Sequence, residues 1–263
     1  MRKEAFFGVV LIVLGGLIFV AGRPDQELWS FVQKPFGRVE INEEQRIDPS
    51  KINDVKIEVS SSDIAVVPNR ESTDIVVRLE GYASRKFGGE MKLKTESNGD
   101  QLKIGVERPQ GGWLEFSDVD VSVAVPPHLY RSFKAVSSSG DISIEDVRAK
   151  QIVVEASSGE IILKNWQGEL KAEASSGDLY LDTEEIRDDV ELEASSGDIV
   201  VRTDRRPVEL DIEYKGGSGT GLIEAEGFSA KTLTEDHIVG SFGSGGPHIT
   251  AKTSSGDFTF SAP

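Results

Sequence analysis

The tetrapeptide Ser-Ser-Gly-Asp, or a near copy, recurs along this chain in fixed register, and no other feature constrains the fold as strongly. It stands in SSSGDISI from Ser137, ASSGEIIL from Ala156, ASSGDLYL from Ala174, ASSGDIVV from Ala194 and TSSGDFTF from Thr253. The consecutive glycines Gly140, Gly159, Gly177 and Gly197 are 19, 18 and 20 residues apart. Seven residues before each stand Phe133, Ile152, Leu170 and Val190, and five before stand Ala135, Val154, Ala172 and Leu192. Two residues after come Ile142, Ile161, Leu179 and Ile199, and four after come Ile144, Leu163, Leu181 and Val201. The positions between are mostly charged or polar. Period-two alternation on both sides of a fixed turn predicts two short strands per repeat, each with one buried face.

The register reaches further. Around Gly256 the same positions hold Ile249, Ala251, Phe258 and Phe260, and around Ser62, which replaces the glycine, they hold Val55, Ile57, Ile64 and Val66. Segments around Gly99 and Gly219 read as versions with one extra turn residue. A period of 18 to 20 residues is the mark of a solenoid, and two helices with two turns do not fit within it. A meander would not need the same corner chemistry at every second strand. The expected fold is therefore an all-β, single-stranded β-helix over residues 50–263. Stacking at about 4.8 Å per coil predicts about eleven coils and a rod near 50 Å long.

The motif admits two readings. In the structural one, Gly140, Gly159, Gly177, Gly197 and Gly256 supply positive φ at a sharp corner, and Ser and Asp satisfy turn amides. In the other, Asp141, Glu160, Asp178 and Asp198, with Asp63 and Asp257, form an acidic ladder able to hold divalent cations. The ligand set is sparser than in known calcium-binding repeats. No cofactor is expected.

The amino terminus differs in kind. Residues 5–22, AFFGVVLIVLGGLIFVAG, carry no charge, and 18 residues at about 1.5 Å each cross a thin hydrocarbon core. Arg2 and Lys3 precede this stretch, so the positive-inside rule leaves the amino terminus in the cytoplasm and the remainder outside. Residues 1–23 are expected to be a single-pass membrane anchor, with a cleaved signal peptide as the alternative. Residues 24–49 read as a juxtamembrane linker in which Trp29, Phe31 and Phe36 meet the headgroups or cap the next domain.

The chain's net charge of −16 argues against nucleic acid as a partner, and the absence of cysteine excludes disulfides and thiolate chemistry. His128, His237 and His248 have no metal-ligand spacing, and no nucleophile-elbow, zincin or phosphate-loop motif occurs. Trp113, Phe116 and Trp166 could stack on a sugar ring or cover an end or seam of the rod.

The strand–SSGD–strand repeats, VPPHLYRSFKAVSSSGDI and the closing GSGGPHITAKTSSGDFTF are similar to the "putative adhesin" domain of unknown function of bacterial envelope proteins, over residues 54–261. With its short apolar amino terminus the whole chain resembles LiaG-like proteins of Gram-positive bacteria. The resemblance implies an extracytoplasmic β-helix linked to envelope-stress signalling, and it carries no catalytic residues. The expected function is a non-enzymatic interaction or scaffold module anchored in the membrane through residues 5–22, with a protein or cell-wall polymer of the envelope as partner. The alternatives are a surface adhesin or wall-binding module bridged by divalent cations, and a polysaccharide-cleaving β-helix enzyme.

Overall fold

The alternating apolar positions do lie in strands with one buried face. In the computed structural model, which describes residues 37–108 and 117–263, the described residues contain 21 strands in two sheets, with one four-residue helix, α1 (Arg85–Gly88), and one 3-10 turn. The apolar segment 5–22 and Trp29, Phe31, Phe36, Trp113 and Phe116 lie outside the described residues. Among the described residues, 37–108 and 117–263, no helix is long and apolar enough to cross a membrane.

Each repeat places one strand in each sheet, joined by the motif corner. Four repeats stack in sequence order: β8 (Tyr130–Ser137) with β9 (Ile142–Glu145), β10 (Arg148–Ala156) with β11 (Ile161–Lys164), β12 (Gln167–Ala174) with β13 (Leu179–Thr183), and β14 (Val190–Ala194) with β15 (Ile199–Thr203). Their pairing is parallel and in the register read from the sequence: Ile152 opposes Phe133 and Leu170, and Leu179 opposes Ile161 and Ile199. Leu179 and its column neighbours are fully buried, and each such side chain contributes about 2 kcal/mol of hydrophobic stabilisation. The two apolar faces meet in one continuous core.

Stacking departs from chain order at both ends. The coil of β2 (Asp54–Val59) and β3 (Ile64–Pro68) lies between β8/β9 and the coil of β6 (Gln101–Glu107) and β7 (Ser117–Val125). At the far end β20 (His248–Thr253) and β21 (Phe258–Ser261) lie between β14/β15 and the coil of β16 (Leu210–Lys215) and β17 (Gly221–Glu224). Eight two-strand coils thus replace the expected eleven. The remaining strands cap the stack in antiparallel fashion: β1 (Arg38–Ile47) and β4 (Ile75–Ser84) beyond β7, β5 (Lys92–Asn98) beyond β6, and β18 (Ser229–Leu233) and β19 (His237–Phe242) beyond β16. Gly99 therefore turns a hairpin between β5 and β6 and is no coil corner, whereas Gly219 does turn a corner, between β16 and β17. The fold is a parallel solenoid with antiparallel ends.

β1 falls inside the stretch read as a linker, yet it pairs with β4 along its whole length, so the sheet begins at Arg38. An exposed edge strand invites pairing with other chains. Here the Glu43 carboxylate accepts the Leu93 amide at 2.7 Å and the Gln45 side chain donates to the Leu93 carbonyl at 3.0 Å, tying the outermost strands of the two sheets together.

Candidate functional site

The motif corners form one ridge along the rod, and their geometry revises the role expected of glycine. None of Gly140, Gly159, Gly177, Gly197 and Gly256 has positive φ. What excludes a side chain is the neighbouring coil: a Cβ at Gly159 would lie 2.0 Å from the Gly140 carbonyl oxygen, and one at Gly140 2.0 Å from that of Ser62. Each Cβ direction points toward the same end of the stack. Ser62 takes the place of the glycine at the next corner toward that end and carries a side chain there. Its hydroxyl accepts from Arg108 at 2.8 Å.

The acidic column is built into the same contact. Asp63 Oδ1 accepts the Asp141 amide at 2.9 Å, Asp141 Oδ1 that of Glu160 at 2.8 Å, Asp178 Oδ1 that of Asp198 at 2.8 Å, and Asp198 Oδ1 that of Asp257 at 2.8 Å. Asp257 continues the column to the Thr220 amide at 2.7 Å. One oxygen of each Asp therefore satisfies a corner amide of the next coil, which is why Asp recurs. The step from Glu160 to Asp178 lacks this bond among the described residues, since Glu is one methylene longer. Burial, followed by the charges of Asp141 and Asp178, raises the Glu160 carboxyl above its ordinary pKa. Asp120 also belongs to the column, because Ile64 pairs with Val121. Its pKa is raised first by burial and then by Asp63 and Asp118. The sequence hid Asp120 because no Ser-Ser-Gly precedes it. Among the described residues no group of three or more His, Asp or Glu side chains is arranged to hold a metal ion.

The opposite seam, where the chain crosses from one coil to the next, carries a concavity of about 1100 Å³. Its shape follows from connector length. Two residues link β9 to β10 and two link β11 to β12, whereas six link β13 to β14, β15 to β16 and β3 to β4. The short connectors are possible because Asp146 and Asn165 adopt positive φ (55° and 49°), a conformation those residue types tolerate best among non-glycines. They form a floor, and the six-residue loops rise beside it as walls.

Trp166 sits in this floor, half-buried and packed on the core, so it covers the seam as one of its two expected roles required. One wall is rigid by construction. Asn69, buried, accepts the amides of Glu71 and Ser72 at 3.1 and 3.0 Å and donates to the Ser72 hydroxyl and the Asp74 carbonyl, both at 2.8 Å. Arg70 in one wall pairs with Asp146 of the adjoining floor at 3.1 Å, Arg187 with Glu185 at 3.1 Å, and Arg205 with Glu184. Arg148 donates to the Gln167 side chain at 2.7 Å. No sequence motif announced this groove. The only signals were the uneven repeat spacing and the Asp and Asn at the short connectors.

Residues 37–261 match the family described as Toastrack DUF4097. The chain belongs to this family. Among solved structures, this Toastrack chain is similar to a putative cell adhesion protein from Clostridium sporogenes, at 13% identity and a TM-score of 0.49, over 86% of this chain and 100% of that one. It is also similar to a putative adhesin from Bacteroides fragilis, at 12% identity and a TM-score of 0.47, over 85% and 97% of the two chains. No curated protein matches the Toastrack chain.

Proposed function

We propose that this Toastrack chain is a non-catalytic, single-pass membrane protein whose solenoid stands outside the cytoplasmic membrane as an interaction or scaffold module of the envelope-stress response. The observation that carries the reading is the pairing of an uncharged 18-residue segment near the amino terminus with a rod whose corners, strands and ends are hydrogen-bonded throughout. Such a body presents a fixed surface, which suits a binding role. The adhesin names of its structural neighbours agree with a binding role, and a surface adhesin or wall-binding module is the second reading, favoured by the seam groove. Bridging by divalent cations is the weaker part of that reading, because the inner oxygens of the acidic column already accept backbone amides.

The chain has no cysteine, so topology is directly testable. Ser176, on the exposed corner ridge, is replaced by Cys, and intact cells are treated with a membrane-impermeant maleimide. Labelling without lysis is expected, and labelling only after lysis would end the extracytoplasmic reading. Photo-crosslinking from the same ridge then separates the two roles. Capture of a membrane protein supports the scaffold, and capture of wall polymer alone supports the wall-binding module.

A further inference from the structure

We propose that the seam groove is a binding site for an uncharged, hydroxyl-rich glycan chain, with Trp166 as its stacking platform. Three observations converge on this class of ligand. The first is shape: the floor is two coils wide, and its walls stand about 14 Å apart, three strand spacings, which admits a chain of sugar rings. The volume of about 1100 Å³ matches an extended oligosaccharide better than a single small molecule.

The second is lining chemistry. A half-buried indole supplies an apolar face on which a sugar's C–H face can pack, and most of the other lining residues are polar. Glu71 and Asp204 enter no ion pair among the described residues and remain acceptors for hydroxyls, and Arg148, held only by Gln167, retains donors. The remaining arginines pair with carboxylates of the same groove. The Asn69-braced wall is ordered before any ligand arrives, which lowers the entropy lost on binding.

The third is charge. Four arginines face five carboxylates in the groove, and the chain as a whole is at −16, so a polyanion gains little there and is repelled at long range. A protein partner fits less well, because apart from Trp166 the lining offers only Pro68 and Pro127 as apolar residues, and protein interfaces centre on apolar side chains.

The proposal stands on the groove and not on the tether, so labelling that fails from outside the cell would leave it intact, and failed glycan binding would leave the topology intact. The test is isothermal titration of the full chain in a sugar-free detergent with N-acetylglucosamine hexamer, cellohexaose and hexagalacturonate. Binding of at least one neutral hexamer, tighter than hexagalacturonate, is expected. A ten-fold or greater loss is expected in Trp166→Ala. Because Trp166 also packs on the core, the double variant Glu71→Gln, Asp204→Asn is measured beside it, and it too should weaken binding without altering the melting temperature. Preference for hexagalacturonate, absence of binding to all three, or binding that neither variant weakens would overturn the proposal.

Discussion

The middle of the rod and its two ends obey different rules. Between β8 and β15 each coil stacks on the one before it in sequence, so contacts are regular and each coil holds only its neighbours. At the ends the coil nearest the terminus in sequence is placed one layer inward, under a coil that comes earlier or later in the chain. The carboxy-terminal end is also where the large aromatics gather: Tyr214 stacks on Phe258 at 4.9 Å, and Phe242 lies 5.8 Å from Phe260. A solenoid stacked wholly in chain order can fray from its last coil. Here the last strand is clamped between two others, so the chain end cannot peel away without opening the stack.

Truncation should therefore produce the largest effect. Removing residues 256–263 deletes β21 and leaves β15 and β17 about 9.6 Å apart, two strand spacings, with the buried faces of both exposed. Hydrogen exchange should show protection lost across β14 to β17 together, with a destabilisation above about 4 kcal/mol. Removing residues 1–47 takes away the outermost strand of one sheet with its bonds to Leu93, so deprotection should stay within its immediate neighbours β4, β5 and α1. If the carboxy-terminal truncation likewise deprotected only its immediate neighbours, the inward clamp would carry no energetic weight.

A second contrast sits within the corner ridge itself. Alanine at 159 must place a methyl group 2.0 Å from a backbone carbonyl that is held by its own coil, which forces the two coils apart and should cost about 3 kcal/mol. Alanine at 62 keeps the Cβ that serine already carries and forfeits only the hydrogen bond from Arg108, about 1 kcal/mol. Urea unfolding of Gly159→Ala and Ser62→Ala measures both. Equal losses would show that the glycine column is not kept for close approach.

These regions also mark how far the sequence could be read. Strand identity, core faces and register in the middle coils were legible because alternation and corner recur together, as at Leu170 and Leu179. Coil order at the ends was not, because periodicity says which residues share a column and nothing about which coil lies above which. Hence Asp63 pairs with the column through Asp141, 78 residues away, and Gly99 passed for a corner although it turns a hairpin. The glycine requirement was recognised with the wrong cause, since close approach and positive φ favour the same residue. The groove was invisible because it arises from differences between connectors, whereas repeat analysis detects what connectors share.

The smallest and most discriminating effect concerns the missing rung. Glu160 supplies no bond to the Asp178 amide and carries a raised pKa in the folded chain, so between its unfolded and folded pKa values the native state holds more protons. Its contribution to stability is thus fullest at acid pH and is lost as pH rises through the folded pKa. Glu160→Asp should restore the rung and add about 1 kcal/mol at neutral pH. Glu160→Gln should also stabilise at pH 7, by relieving repulsion from Asp141 and Asp178, but its advantage should vanish once Glu160 is protonated in both states. Thermal melts of the three proteins between pH 4 and pH 7 separate the two contributions. An aspartate that gains nothing would mean that the ladder bonds only decorate a corner already held by its backbone, whereas a gain at 160 equal to the loss on removing Asp198 would make each rung an independent and interchangeable unit of the stack.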